Sequence, residues 1–485
     1  MELARYSDSH LLYEKPLEGI IRVPQKKRGL WGTRFGFYLA AIGSAFGLGN
    51  LWRFPYVTVD NGGGAFVLLY VVFAIGVGLP LLIGELTLGK LSRKSVVSAC
   101  QGLDDGGAVG RASSRPTWKW VGRFAALTCL LILSYYAVIS GWVLHFLMQF
   151  FFGHLVAGAY DAENSLRVLR QNGWLQLALT SVHLLISLVI VAKGVQEGME
   201  KWVSNAMPVF VVLLFILVTK SLSLPTATDA LRFLFYPDFS RLTPYSLLHA
   251  LGHVFFTLSV GFGTMVTFGS YLNEQTHIPS AGFRVTAMDT IISLFAGLLI
   301  FPLLASANLK VADPELLFQT LPRLLTSLDN GFLFGLAFFI CLYLAALGAS
   351  IGLLESVVAN VLELTGLKRV QATWLTGLAA FSLAIVPALS TSVLRNVSFR
   401  GHGLLELLDG ILVNWMLPMA ALGIAFAVSK RLAPEKVEQE FINDDSIATR
   451  KLYSHWKFVM RWLAPGLILF AFATALIGFA VSFFR

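Results

Sequence analysis

Eleven long apolar runs punctuate the chain, at residues 34–57, 65–89, 119–152, 174–192, 200–220, 246–272, 282–307, 331–365, 372–390, 404–430 and 461–484. Roughly 20 apolar residues cross the hydrocarbon core of a bilayer. Water is absent there, so every backbone N–H and C=O must find its partner inside the protein, and only helices and closed barrels meet that demand. Barrel strands alternate apolar and polar residues over about ten positions. These runs are longer and continuously apolar, which predicts an all-α polytopic membrane protein. The charge content agrees, at 13% of the 485 residues against about 25% in soluble domains. A water-soluble enzyme and a disordered chain are both excluded as the main body.

The net charge of +9 has the same origin. With residues 1–30 as a cytoplasmic tail, loops on that side hold Lys90, Arg93, Lys94, Arg111, Arg115, Lys119, Lys368, Arg369, Lys430, Arg431, Arg450, Lys451 and Lys457. The opposite loops hold mainly Arg167, Arg170, Arg395 and Arg400. This positive-inside bias predicts a multi-pass protein of the cell membrane with no nucleic-acid partner. Cys100, Cys129 and Cys341 are far apart and form no disulfide framework or metal motif. The polar first thirty residues lack the apolar core of a cleavable signal peptide.

Two runs contain glycines that a plain span would avoid. The first reads AIGSAFGLGNLWRFP, with Gly43, Gly47 and Gly49, and the sixth reads FFTLSVGFGTM, with Gly261 and Gly263. Each glycine inside a helix costs about 1 kcal/mol relative to alanine. Close helix packing through Gly43-x-x-x-Gly47 is one reading. The two runs are five apart, however, so residues 34–220 and 246–430 form matching halves, with 461–484 as an extra helix. Interrupted segments at corresponding places in two halves mark a transporter binding site. Half-helix N-termini attract a carboxylate and freed carbonyls attract a cation. Such a site suits a zwitterion beside an alkali ion.

The run GSAFGLGNLWRFP followed by NGGGAF (Gly43–Pro55, Asn61–Phe66) resembles the neurotransmitter:sodium symporter family, especially its bacterial amino-acid members. FFTLSVGFG (Phe255–Gly263) resembles that family's sixth span, and Gly198 and Pro208 match its fifth-span pattern. The resemblance covers about residues 28–480. It implies the five-plus-five inverted-repeat, leucine-transporter-type fold with an eleventh helix, helices 1 and 6 unwound in mid-membrane, and sodium-coupled amino-acid transport.

The resemblance also implies residue roles. Leu48 and Gly49 would offer N–H groups to the substrate carboxylate, with a further bond from the Tyr136 hydroxyl. Carbonyls of Ala45, Phe256 and Thr257, with the Ser259 side chain, would hold the ammonium group. Ser44, Ile132, Phe256, Phe262, Ala349 and Leu353 would surround the side chain. None of these is charged, and a charged substrate side chain would be left unpaired at high cost. The expected substrate is a neutral amino acid, apolar or aromatic. The first sodium ion would be held by the Ala45 carbonyl, Asn50, Thr257 and Asp289 with the substrate carboxylate. Asp289 supplies a negative charge where chloride-dependent relatives have an amide, and Ser293 stands at the chloride-site serine. Chloride independence is expected.

The sequence departs from the pattern at the second sodium site. Carbonyls of Gly43, Phe46 and Ala345 remain, but Gly348 and Ala349 replace a pair of hydroxyl residues. His253 stands where a glutamine is usual, and histidine titrates near neutral pH. The expected coupling is to one sodium ion, or to a proton in place of the second. Arg53 with Asp409, helped by Tyr136 and Phe256, would form an outer gate. Arg28, Trp31 and Tyr271 with Glu363 would form an inner one. Glu85 is read as a brace for unwound backbone, and Glu355 has no assigned role. A second reading is a non-transporting amino-acid receptor on the same fold. The sequence shows none of the motifs of a membrane enzyme and no ring of charge or filter-like repeat of a channel.

Overall fold

The computed structural model describes residues 30–106, 117–153, 162–306, 317–399, 402–442 and 447–483. Among these, nine helices are long and apolar enough to cross a membrane. They are span 2 (Gly64–Ser92), span 3 (Trp118–Phe151), span 4 (Gly173–Ala192), span 5 (Val195–Leu222), span 7 (Ile278–Ser306), span 8 (Gly331–Thr365), span 9 (Arg369–Leu389), span 10 (Leu404–Arg431) and span 11 (Arg450–Ile477). Span 1 is a pair, Arg34–Ala45 and Gly49–Asp60, bent by 41°. Span 6 is split further, into Pro244–Thr257 and Thr264–Ser270, each shorter than a bilayer requires. Span 11 starts before its apolar run, because basic residues of the helix Ile447–Phe458 continue into it through one π-turn.

Local chemistry explains the interruptions. In span 1 the α-helix ends at Ala45, Phe46 adopts an extended conformation, and the chain resumes as a π-turn at Gly49. In span 6 the backbone turns left-handed at Ser259 (φ 54°), Gly261 (φ 96°) and Gly263 (φ 78°), a region that glycine enters without steric cost. Glu85 of span 2 answers the exposed backbone: its Oε1 accepts from Gly261 N–H at 2.6 Å. Glu200 of span 5 plays a similar part at the start of span 1, accepting from Gly32 N–H (2.8 Å), Thr33 N–H (3.1 Å) and the Thr33 hydroxyl (2.9 Å). Span 5 itself opens with a π-turn, Val195–Glu200, that contains Gly198, and Pro208 lies within its helix.

The spans pack in two groups. Spans 3, 4, 8 and 9 pack on one another, and spans 1, 2, 6 and 7 pack on one another, with the two faces meeting where spans 1 and 6 are broken. Span 10 packs against spans 3 and 6, and span 11 against spans 6 and 10. A close backbone contact joins span 2 to the second half of span 6. A Cβ on Gly89 would overlap the Val266 carbonyl oxygen, and one on Gly269 would lie 2.5 Å from that of Leu86.

Gly89→Val is expected to cost at the upper end of about 1–3 kcal/mol through overpacking. Gly102→Ala, in a helix with nothing within 4 Å, is expected to stabilise by about 0.5–1 kcal/mol. Thermal unfolding of the two purified variants in detergent measures both.

Candidate functional site

The two breaks face each other at the centre of the molecule. Between them lies a buried pocket lined by Ser44, Ala45, Gly47, Gly49, Tyr136, Phe256, Thr257, Ser259, Phe262, Ala349 and Leu353. Ten residues assigned to the substrate from the sequence are thus brought together, and Gly47 joins them. Gly47 escaped because its spacing from Gly43 also reads as helix packing. Leu48 contributes through its backbone, donating N–H to the Tyr136 hydroxyl at 2.9 Å. Ile132 is fully buried one turn from Tyr136 on span 3 but does not line the pocket. The Ser44 and Ser259 hydroxyls lie 3.3 Å apart, and Ser259 also donates to the Ser44 carbonyl at 3.1 Å. No charged side chain lines this space.

Asp289 stands beside the pocket and is fully buried. Asn50 Nδ2 donates to its Oδ1 at 2.7 Å and to Ser293 Oγ at 2.9 Å. Tyr70 donates to its Oδ2 at 3.1 Å and also contacts Ser293 Oγ at 3.0 Å. Among the described residues no ion pair involves Asp289. The carboxylate therefore has neutral hydrogen-bond donors and no protein cation. Span 7 brings it to Asn50 and Thr257.

The residues expected to form a second sodium site pack closely on one another. A Cβ on Gly348 would meet the Gly43 carbonyl oxygen at 2.7 Å and Trp202 at 3.5 Å. Gly43 faces Val203 and Met207, and Phe46 packs on Phe210 with ring centres 5.6 Å apart. Ala345 is buried in span 8. The next hydroxyl along, Ser350, is turned to His183 of span 4 at 2.8 Å. His253 is fully buried, its ring stacked 5.6 Å from Phe54 and set 5.1 Å from Tyr70. Neither ring nitrogen has a hydrogen-bond partner among the described residues.

Both ends of the pocket are closed. At one end Arg53 Nε meets Asp409 Oδ2 at 3.4 Å, and its Nη2 donates to Asn414 at 3.0 Å. Tyr135 and Tyr56 also donate to Asp409, at 3.1 and 3.3 Å. Tyr135 was not expected there. It is the neighbour of Tyr136, and one step along a helix turns a side chain through about 100°. Tyr136 and Phe256 pair over the pocket with ring centres 6.3 Å apart.

At the opposite end Trp31 donates its N–H to the Tyr271 carbonyl at 3.1 Å and its indole to Phe268 at 3.2 Å. The Tyr271 hydroxyl donates to Glu355 Oε1 at 2.6 Å, and Arg369 pairs with Glu355 Oε2. This places Glu355, which sequence reasoning left without a role. Glu363 accepts from the Ser95 N–H at 2.9 Å and its hydroxyl at 2.7 Å. Arg28 lies outside the described residues.

A model of the sodium:neurotransmitter symporter family matches residues 28–166 and 159–484. The chain is 34% identical over 451 residues to an uncharacterised sodium-dependent transporter of Bacillus subtilis, covering 92% of this chain and 98% of that one. A sodium-dependent transporter of Haemophilus influenzae is 30% identical over 449 residues (90% and 96%). The sodium-dependent dopamine transporter of Bos taurus is 26% identical over 511 residues (93% and 69%). Among solved structures, MhsT in complex with L-phenylalanine superposes with a TM-score of 0.85 at 35% identity, covering 92% of this chain and 100% of that one.

Removing one partner of a buried ion pair costs about 3–5 kcal/mol, because the other charge is left uncompensated. Arg369→Leu is therefore expected to lower stability by that order. The double variant Arg369→Leu/Glu355→Leu should regain most of it, as read by thermal unfolding of the single and double variants.

Proposed function

The chain belongs to the sodium:neurotransmitter symporter family, and from that premise we propose that it moves a neutral amino acid, apolar or aromatic, with one sodium ion and without chloride. The protein works by alternating access in the cell membrane, with residues 1–30 on the cytoplasmic side. One observation carries the sodium reading: Asp289 is fully buried beside the pocket and, among the described residues, no protein cation pairs with it. A carboxylate at membrane depth costs about 2.5–3.5 kcal/mol or more, and a bound cation removes most of that cost. Asn50, Thr257 and the Ala45 carbonyl stand by as hard oxygen ligands. The same fixed negative charge makes a chloride ion redundant.

The uncharged lining of the pocket supports a neutral substrate, and MhsT, a relative in fold and sequence, has been solved with L-phenylalanine. The substrate carboxylate accepts from Gly49 and Leu48 N–H and from the Tyr136 hydroxyl. Ser259 and the freed carbonyls take the ammonium group. Apolar closure around Gly348 and Gly43 supports coupling to a single sodium ion. That suffices energetically. One charge across 100 mV yields about 2.3 kcal/mol and a tenfold sodium gradient about 1.4 kcal/mol, together enough for roughly 500-fold accumulation.

A proton in place of the second sodium ion is the alternative coupling, favoured by the two unpartnered nitrogens of His253. The titratable groups around it are Tyr70, Asp289 through Tyr70, Arg53 and, one turn earlier, His249.

Radiolabelled uptake of a neutral amino-acid panel into proteoliposomes, with sodium and pH gradients imposed separately, tests the proposal. Sodium-driven uptake unaffected by replacing chloride with gluconate is expected, with a sodium Hill slope of about one for one coupled ion. Uptake driven by a pH gradient and lost in His253→Gln would favour the proton. Binding without uptake would favour a receptor. Tyr136→Phe removes a charge-assisted hydrogen bond of about 1.5–3 kcal/mol and should raise KM roughly tenfold to a hundredfold. Ala349→Ser, which returns one hydroxyl without the clash expected at Gly348, should steepen the sodium dependence.

A further inference from the structure

Lys90, at the end of span 2 nearest Trp31, is a lysine with only 5% of its side chain exposed. Its Nζ donates to the Glu274 carbonyl at 2.8 Å, to the Thr276 carbonyl at 3.0 Å and to Glu440 Oε2 at 2.5 Å. Glu440 belongs to the eight-residue helix Pro434–Phe441 in the connection between spans 10 and 11. A helix that short has little stability of its own in water, so docking holds it. Val437 and Phe441 are buried while Glu435, Lys436 and Gln439 face out. The Phe441 ring lies 4.9 Å from Trp456 and 5.4 Å from Tyr453. The Trp456 indole in turn donates to the Pro80 carbonyl of span 2 at 2.9 Å.

The docked helix also reaches the loop that follows span 6. His277 Nε2 lies 3.2 Å from the Phe441 carbonyl oxygen, so residues 274–277 are held at both ends, by Lys90 and by Phe441. That loop starts at Tyr271, whose carbonyl accepts from Trp31 and whose hydroxyl bonds to Glu355. Arg93 donates to the Leu272 carbonyl between them. One short stretch of chain thus connects the helix 434–441 to the closure beneath the pocket, and nothing in the sequence motifs of the transport site requires that connection.

We propose that Pro434–Phe441 is a clamp on the inner closure, with Lys90 and Glu440 as its positioning residues: their ion pair holds loop 272–277, and through Tyr271 holds Trp31, in the closed arrangement. The clamp lies outside the substrate and ion sites and biases which end of the pocket opens. A group that favours one of two states shifts their populations by its differential free energy. Losing Glu440 therefore raises the inward-open fraction. This rests on the alternating-access reading above, but the closure can be followed with no substrate present.

Amide hydrogen exchange on the full chain in lipid nanodiscs, without amino acid, tests it. Glu440→Gln is expected to speed exchange about tenfold in residues 30–37 and 271–277, the effect of losing one charge-assisted bond. Peptides containing Arg53 and Asp409 should be unchanged. Glu440→Asp, which keeps a carboxylate for Lys90 and leaves its bonds to the Glu274 and Thr276 carbonyls in place, should retain protection at the inner closure. Unchanged exchange at residues 30–37 in Glu440→Gln would overturn the clamp. So would a uniform rise at both ends of the pocket that appears equally in Glu440→Asp. A wild-type protein that shows this pattern yet accumulates no amino acid would overturn the transport reading and leave the clamp standing.

Discussion

A backbone amide with no partner in hydrocarbon costs several kcal/mol, and this molecule opens two helices where that cost is greatest. Its architecture answers that constraint. The Gly261 N–H is met by Glu85 from span 2, the Leu48 N–H by Tyr136 from span 3, and the Gly47 N–H by Asn50 from within the same broken span. Each substitute partner comes from a different helix or turn. The breaks can therefore persist only while spans 1, 2, 3 and 6 hold their mutual packing, which explains the backbone-to-backbone contact at Gly89 and Gly269. A pocket made this way is polar at its backbone and apolar at its side chains. Such a lining grips the common part of an amino acid and leaves the variable part to shape.

Charge is distributed with the same economy. The buried acids Glu85, Asp289 and Glu355 each meet a different fate. Glu355 answers Arg369, Glu85 answers a backbone amide, and Asp289 accepts from neutral side-chain donors beside the pocket. An acid without a protein cation is where a mobile cation gains most. Where a second ion was expected to be held weakly, Gly348 packs directly on the Gly43 carbonyl and Trp202, with Val203 and Met207 beside Gly43. Under the proposed single-ion coupling, the free energy of ion binding is concentrated beside Asp289.

Much of this was legible in the sequence because periodicity and glycine placement act locally. The positions of the spans followed from apolar runs, and both breaks from paired glycines. Side-chain partnerships were harder. Tyr135 and Tyr136 are indistinguishable by composition, yet one meets Asp409 and the other meets Leu48. Glu355 lacked a role because its partners, Tyr271 and Arg369, come from two other spans. Ile132 shares a face of span 3 with Tyr136, one turn away, yet lies beyond the pocket lining. The helix Pro434–Phe441 lies outside the apolar runs and was not foreseen, because its alternation of acidic and apolar residues is too short to stand out. What failed was knowledge of rotation about helix axes, which only packing supplies.

The two closures are built differently. At the Arg53 end the ion pair has a 3.4 Å separation and Asp409 keeps 15% of its side chain exposed. At the Trp31 end Glu355 is fully buried between a phenol and a guanidinium, and Glu200 adds three bonds to the start of span 1. Arg53 is 2% exposed and Arg369 26%, so each pair has one shielded and one wetter partner, and burial alone does not rank the closures. Opening one side in preference to the other requires a ligand whose affinity differs between the two states. Sodium and a zwitterion bound across the two breaks can supply that difference, because they replace the polar partners that the unwound segments borrow from their neighbours.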